Sequence, residues 1–489
     1  MSSASTQSSL VRRATNKLAA RGSAPPIRRR DLSNANPPLS FVQQRLWFLQ
    51  QLEPESVAYN IPLALRLTGR LSIPTLEKSF NEILHRHEIL RTTFKNTDTH
   101  PVQVISPPWQ VNLRVVDLSA LDEVTRASEI ALHRHYEVET CFDMVQGPLW
   151  RAKVLRLDPE EHIVLFTAHH AIYDGWSMVV LVQEMAQLYQ AFLACRPSPL
   201  PELPVQYADY AVWQREWLQG DVLAGQVDYW RKQLAGAPVR LELPSDRPHT
   251  PNRTTEGASH LFTIKREVIA KLEEVARREK ATSFMVVLAG YAALLSRFSG
   301  QEDILVGTAI AGRPRIELER LIGFFVNTIV IRVDVRGNPS FRELLRRVRE
   351  ATLGAYAHQD LPFEKVVEEL QPQRQQSTTP YCNVFLMMQN TPRAKLNLDG
   401  LQLELLPAEK APAKFDLELI VGDVVHGLGG ILSYSTDIFD KPTIARMGDR
   451  FQDFLRAAAN QPDTDITALA AAGSAAESNL VDAFNAELE

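Results

Sequence analysis

The stretch His162 to Ser177, HIVLFTAHHAIYDGWS, decides how the rest of this chain is read. Val164, Leu165 and Phe166 make a short continuous apolar run of the kind a buried strand shows, and two adjacent histidines end it. From Trp176 the period changes. Met178, Leu181, Val182, Met185, Leu188, Tyr189 and Phe192 recur at helical spacing, which predicts strand, tight turn, helix. His169, His170, Asp174 and Gly175 stand at the join, where a helix N-terminus offers unpaired N–H groups and a positive dipole end, suited to a developing oxyanion. Histidines beside a strand are more often structural than catalytic, and strand neighbours point to opposite faces, so at most one of the pair faces a common cleft. The string HHxxxDG arises by composition in roughly one chain in a thousand. No further His or Cys lies nearby with ligand spacing, so no metal is expected here.

A length of 489 residues predicts two to four domain-sized units, and 45% hydrophobic with 23% charged is an ordinary soluble globular composition. A net charge of -5 gives no reason to expect nucleic acid or membrane as a partner. Cys141, Cys195 and Cys382 form no motif and leave one unpaired in any disulfide scheme, which favours a reducing cytoplasm. No apolar run approaches the roughly 18 residues that a membrane span needs.

Residues 1–36 are Ser, Ala, Arg and Pro rich and read as a basic flexible linker. From Pro37 the chain becomes globular, with Ser40 as N-cap of a helix whose stripe is Val42, Leu46, Leu49 and Leu52. A Pro-rich passage, LPSDRPHTPNRTTEG, separates two periodic regions. This gives a first lobe over 37–235 and a second over 236–465. The second opens with helices over 266–278 and 283–298, and the strand IGFFVNTIVIRVDV carries Asn327 and Thr328 as polar interruptions. Residues 466–489 read as a tether to a further domain, and no internal sequence repeat is evident.

Taken together, seven signatures resemble those of a condensation domain of a nonribosomal peptide synthetase. They are LSFVQQRLWFL at Leu39, RHEILRTTF at Arg86, HHAIYDGWS at His169, YADYAVWQ at Tyr207, IGFFVNTIVIR at Ile322, HQDLPFE at His358, and a degenerate last one near Tyr381. The resemblance implies an α/β fold: two chloramphenicol acetyltransferase-like lobes in a V-shaped pseudo-dimer with a tunnel between them. It implies amide formation, in which a carrier-bound aminoacyl amine attacks a thioester carbonyl.

By motif position, His170 orients the amine and takes its proton or stabilises the charged intermediate, Gly175 brings backbone N–H to the oxyanion, and His169 completes the catalytic motif as a packing or hydrogen-bonding residue. Asp174 pairs with an arginine, Arg313 first and Arg91 second, in a structural role. Tyr207, Ser177, Asn327 and Gln359 are candidate tunnel or lobe-contact positions. The segment QQSTTPYCNVF replaces an Arg-rich, Asn-Pro pattern and removes detailed carry-over on the donor side, near Thr379 to Asn383.

No intrinsic cofactor is implied, only phosphopantetheine arms delivered by carrier proteins or coenzyme A. The implied partners are an acceptor carrier protein, a fatty acyl-CoA or carrier-bound acyl donor, and a downstream adenylation domain. Without a carrier motif before Leu39 the reading leans to a starter type, N-acylating the first amino acid of a lipopeptide with a fatty acyl group. An elongation domain with a carrier-bound peptidyl or aminoacyl donor is the alternative, and a catalytically silent recruiting module the third.

Overall fold

The structure, a computed structural model, describes residues 24–31, 36–98, 100–249, 254, 256–370, 380–389, 400–407 and 413–471. In the first half α1 (Phe41–Leu52) opens on a capping box of Ser40 and Gln43. It is followed by β1 (Asn60–Thr68), α2 (Ile73–Arg86), the hairpin β2 (Thr92–Asn96) and β3 (Pro101–Ile105), β4 (Arg114–Asp117) and α3 (Glu123–Glu139). Then come β5 (Trp150–Asp158), β6 (Glu161–His169), α4 (Gly175–Leu193), α5 (Tyr207–Trp217) and α6 (Gly220–Gln233).

The second half runs β7 (Gly257–Lys265), α7 (Arg266–Arg278), α8 (Ser283–Ser299), β8 (Asp303–Ile310), β9 (Asn327–Asp334), α9 (Phe341–Ala357) and α10 (Phe363–Leu370). It closes with β10 (Val384–Gln389), β11 (Gln402–Leu405), β12 (Leu417–Val424), β13 (Gly427–Ser435) and α11 (Lys441–Asn460). Among the described residues no single helix is long and apolar enough to cross a membrane.

Two sheets carry the architecture. The first has the order β11-β1-β6-β5-β4 and the second β7-β13-β12-β10-β8-β9. β6 lies between two antiparallel neighbours, with Phe166 opposite Leu63 on β1 and Ala152 on β5. Burial on both faces explains why its sequence is a continuous apolar run instead of an alternating one. The halves repeat one topology. β1, β6 and β5 pair antiparallel and β4 joins β5 parallel, as β7, β13 and β12 pair antiparallel and β10 joins β12 parallel. β6 leads into α4 as β13 leads into α11.

The domain bounds differ from the sequence expectation at five places. Helix α6 belongs to the second lobe, because Val227 and Trp230 are buried in its core and Trp230 Nε1 donates to His358 O at 3.0 Å. Leu318, Leu321, Ile322 and Phe325, between β8 and β9, pack into the first core. β11 crosses to pair with β1 at the edge of the first sheet. At the chain ends, Ile27 is buried and Arg30 pairs with Asp209 at 2.9 Å and Glu88 at 2.7 Å, so residues 24–31 are docked and not a free linker. Ile466 and Leu469 are likewise buried, so packing continues past 465. The remainder of the two expected linkers, with Thr379, lies outside the described residues.

Candidate active site

Because β6 ends at His169 and α4 begins at Gly175, the residues between them must turn the chain, and a short 3-10 turn over His170–Ile172 does so. Asp174 is the N-cap of α4, its Oδ1 accepting from Ser177 N at 2.8 Å. The turn sends the two histidines to different places. His169 is 1% exposed, packed between the rings of Tyr59 and Phe142 with centroids 6.2 Å away on each side. Its Nδ1 accepts from Ala171 N at 3.2 Å, which places its proton on Nε2, a sealed atom without a partner among the described residues. Burial pushes its pKa down to about 3. His169 is therefore a neutral packing residue and not part of a reacting constellation, a correction to its place in the catalytic set.

His170 is held differently. Its backbone N–H donates to Tyr59 O at 2.8 Å, its ring lies 4.4 Å from the Phe324 ring, and its Nδ1 is 2.9 Å from Tyr173 O. The carbonyl accepts only, so Nδ1 carries the proton and Nε2 the lone pair. Nε2 has no hydrogen-bond partner among the described residues and is not sealed from solvent. Desolvation first, and the Lys414 cation second, push its pKa down to about 4. The side chain thus keeps accessible surface while being strongly desolvated. Lys414 shows the same combination, exposed at its surface with its pKa lowered by desolvation. Neither Lys414 nor Glu418, whose pKa burial raises, carries a signal in the sequence.

Asp174 and Arg313 form the buried pair that ties the halves together. Their side chains are 0% and 1% exposed, and Arg313 Nη1 donates to Asp174 Oδ2 at 3.0 Å. Oδ2 also accepts from Phe325 N at 3.0 Å. Arg313 further donates to Leu318 O at 3.2 Å and Leu321 O at 3.0 Å, and lies over the Phe325 ring at 4.1 Å. Every polar atom that such burial would strand is thus satisfied. Gly312 sets this up: its φ of +63° turns the chain, and a Cβ there would sit 1.8 Å from Phe325 O. Arg91 is not a partner. Its Nη1 donates to Ser106 O at 2.5 Å within the first lobe, because the 3-10 turn over Glu88–Arg91 aims it there.

Three candidate tunnel residues are buried fasteners instead. Ser177 is fully buried, its hydroxyl 2.7 Å from Asp174 Oδ1 and 2.8 Å from Gly323 O, while it accepts from Gly323 N at 3.0 Å. Tyr207 donates to Phe324 O at 2.6 Å and meets Ser40 Oγ at 2.8 Å. Asn327 donates to Gln359 O at 2.8 Å and Leu361 O at 3.0 Å and accepts from Phe363 N at 3.1 Å, closing the turn before α10. Gln359 donates to Tyr356 O at 2.8 Å. Gly175 is exposed at the first position of α4, and a Cβ there would meet nothing within 4 Å. No neighbouring atom requires glycine there.

The sequence reading left Glu184 unremarked. It accepts from Arg86 Nε at 3.0 Å and meets His87 Nε2 at 2.7 Å, so the RHEILRTTF stretch braces α4 from the side. Among the described residues no three His, Cys, Asp or Glu side chains converge as a metal site would require.

A family model described as condensation domain matches residues 34–481. A linear gramicidin synthase polypeptide of Brevibacillus parabrevis is 46% identical over 89% of this chain and 8% of its own length. Phosphinothricin tripeptide synthetase PhsB of Streptomyces viridochromogenes is 38% identical over 97% of this chain and 40% of its own. The X-domain from teicoplanin biosynthesis superposes with a TM-score of 0.80 at 29% identity, covering 91% of this chain and 99% of that one. The first relatives matched are far longer than this chain, which spans 8%, 9% and 6% of them.

Proposed function

The chain belongs to the condensation-domain family of nonribosomal peptide synthetases, and from that premise we propose that it joins a carrier-bound acyl donor to the amine of a carrier-bound aminoacyl acceptor. One observation carries the reading: Tyr173 O holds Nδ1 of His170, leaving Nε2 unpaired and reachable at the start of α4. The amine nitrogen attacks the thioester carbonyl, Nε2 accepts a hydrogen bond from the N–H of the attacking amine, and the proton passes to the departing sulfur. The C–N bond forms, the C–S bond breaks, and amide and thiol are the products. The exposed N–H of Gly175, at the positive end of α4, faces the developing oxyanion. Asp174 and Arg313 act as a fastener that fixes this turn and not as a base.

The halves are read as the two acetyltransferase-like lobes of a V, with a passage between them that admits two phosphopantetheine arms. No cofactor resides in the chain itself. Identities of 46%, 44% and 44% to three linear gramicidin synthase polypeptides, large proteins within which this chain matches one segment, support a carrier-bound donor and an adjoining adenylation domain. The starter reading drew on the lack of a carrier motif before Leu39, to which a chain covering under a tenth of these relatives gives no weight. Three unpaired thiols support a reducing cytoplasm. Likeness to an X-domain, seen also in a complex with OxyB, favours a second reading as a recruiting module.

Incubation with a loaded acceptor carrier and either an acyl carrier or a fatty acyl-CoA separates these. Amide from the carrier-bound donor alone is expected. Amide from acyl-CoA alone establishes the starter type, and no amide from either leaves recruitment.

A further inference from the structure

We propose that the open face of the second sheet is a donor-binding wall, on which a row of aliphatic side chains, Met387, Ile420, Ile431 and Leu261, receives an extended alkyl chain carried by the donor. The inference rests on the proposed amide-forming reaction for the identity of the ligand. It goes beyond that reading in naming the ligand's chemistry and the residues that read it.

Register builds the row. Met387 is opposite Ile420, Ile420 opposite Ile431 and Ile431 opposite Leu261, so the four side chains stand side by side on β10, β12, β13 and β7. Their sequence neighbours Leu386, Leu419, Leu432 and Phe262 alternate to the other face and are buried in the second core. Among the described residues Ile420, Ile431 and Leu261 belong to no hydrophobic core. The two isoleucines are partly buried, and Leu261 is 71% exposed. An antiparallel face left to solvent carries polar side chains as a rule, so an aliphatic row there marks a surface that meets an apolar partner.

The rows on either side give the band its edges. Glu418, Ser433 and Ser259 flank it on one side, the two hydroxyls meeting at 3.1 Å, and Gly422, Gly429 and Thr263 flank it on the other. Two glycines without Cβ leave the floor low there, so a chain can lie against the isoleucines from that side. The inner end of the row reaches the site. Leu386 is opposite Thr308, which puts Met387 beside Ala309, and Ala309 is opposite Thr328 at the start of β9. Just before β9 the Phe324 ring packs on His170 at 4.4 Å, and just past β8 Arg313 holds Asp174. A donor carbonyl at His170 can therefore trail its chain outward to the edge at Leu261, across three strand spacings or roughly 14 Å. The backbones of β12 and β13 bond to strands on both sides, and the row offers no strong hydrogen-bonding side chain. Methylenes fit such a surface, whereas the amides of a pantetheine arm would find no partner on it.

The test titrates the full chain, labelled at isoleucine methyl groups, with the octanoyl and the acetyl thioester of N-acetylcysteamine. The two signals of interest are assigned by their loss in Ile420→Val and Ile431→Val. Saturable shifts of both are expected with the octanoyl thioester, at a Kd about tenfold or more below that of the acetyl thioester. Leu261→Asp, at an exposed position, and Ile431→Ser, each checked for an unchanged melting curve, should weaken octanoyl binding about tenfold or more and leave acetyl binding within about twofold. Binding is read without turnover, so a chain that makes no amide can still support the wall, and one that makes amide can still refute it. Absence of saturable octanoyl binding, octanoyl binding that leaves both isoleucine signals unmoved, equal affinity for the two thioesters, or equal octanoyl binding by wild type and both variants overturns the proposal.

Discussion

The end of β6 and the end of β13 are the same turn put to different ends. His170 N donates to Tyr59 O, just before β1, and Thr436 N donates to Glu256 O, just before β7. Each strand then passes through a few buried residues to an aspartate that caps a helix, Asp174 for α4 and Asp440 for α11. From there the two diverge. Gly175, Trp176 and Ser177 open α4, whereas Lys441, Pro442 and Thr443 open α11, where the proline has no N–H to offer. Asp174 is sealed against an arginine from the other half, while Asp440 is 54% exposed and pairs with Arg247, itself 44% exposed. A strand running into a helix N-terminus is thus a property of the fold. Chemistry requires in addition an imidazole with one nitrogen held and the other open.

The comparison breaks most visibly at position 170. His170→Ala should reduce amide formation by about 10²- to 10⁴-fold with the melting temperature nearly unchanged, whereas Thr436→Ala at the matching turn should leave the rate within about twofold. Measured turnover of both variants with a loaded carrier pair decides it. Near-native turnover in the first would remove the imidazole from the proposed mechanism.

Next in size is the buried fastener. Asp174→Ala leaves the Arg313 guanidinium uncompensated, so urea unfolding should show a loss of about 3 to 5 kcal/mol. Arg313→Ala should show a similar loss, and the double variant should lose less than the two combined, since the stranded charge is gone. An additive cycle would mean that the two side chains do not act as a pair.

How much of this was legible follows from which residues speak locally. The strand-turn-helix at His162 to Ser177 was, because periodicity and an N-cap are properties of neighbours in sequence. So was the preference for Arg313, through the resemblance, though only coordinates set it apart from Arg91. The lobe boundary was not: α6 carries an ordinary amphipathic pattern that does not say which core it faces, and β11 is four residues long. The topological repeat was hidden because the likeness between the two junctions is only three residues long, Ile172-Tyr173-Asp174 against Ile438-Phe439-Asp440. Ser177 and Tyr207 were marked as positions of interest, but their bonds to Gly323 and Phe324 assign them to holding the halves together, and Asn327 closes a turn within the second half.

A smaller effect sharpens the contrast between the two adjacent histidines. His169 has a folded pKa of about 3 against about 6.5 when unfolded, so below pH 6.5 the unfolded chain binds a proton that the native chain refuses. Its contribution is complete above pH 6.5 and declines as the pH falls toward 3. Between pH 7 and pH 5 this residue alone accounts for about 2 kcal/mol of lost stability. His169→Asn should shrink the difference between denaturant curves at the two pH values by about that amount. An unchanged difference would mean that His169 protonates as readily in the fold as outside it.

The smallest effect belongs to the second turn. Asp440 makes no side-chain capping bond and meets Arg247 at 2.8 Å in partial exposure, so the attraction is screened by water and salt. Arg247 also donates to Thr436 O at 2.7 Å and Phe439 O at 3.1 Å, contacts that survive loss of the carboxylate. Asp440→Ala should therefore cost no more than about 1 kcal/mol, several-fold below Asp174→Ala at the corresponding position. Equal losses at the two sites would show that the buried ion pair, present at only one of them, adds nothing to the stability of a strand-to-helix junction in this fold.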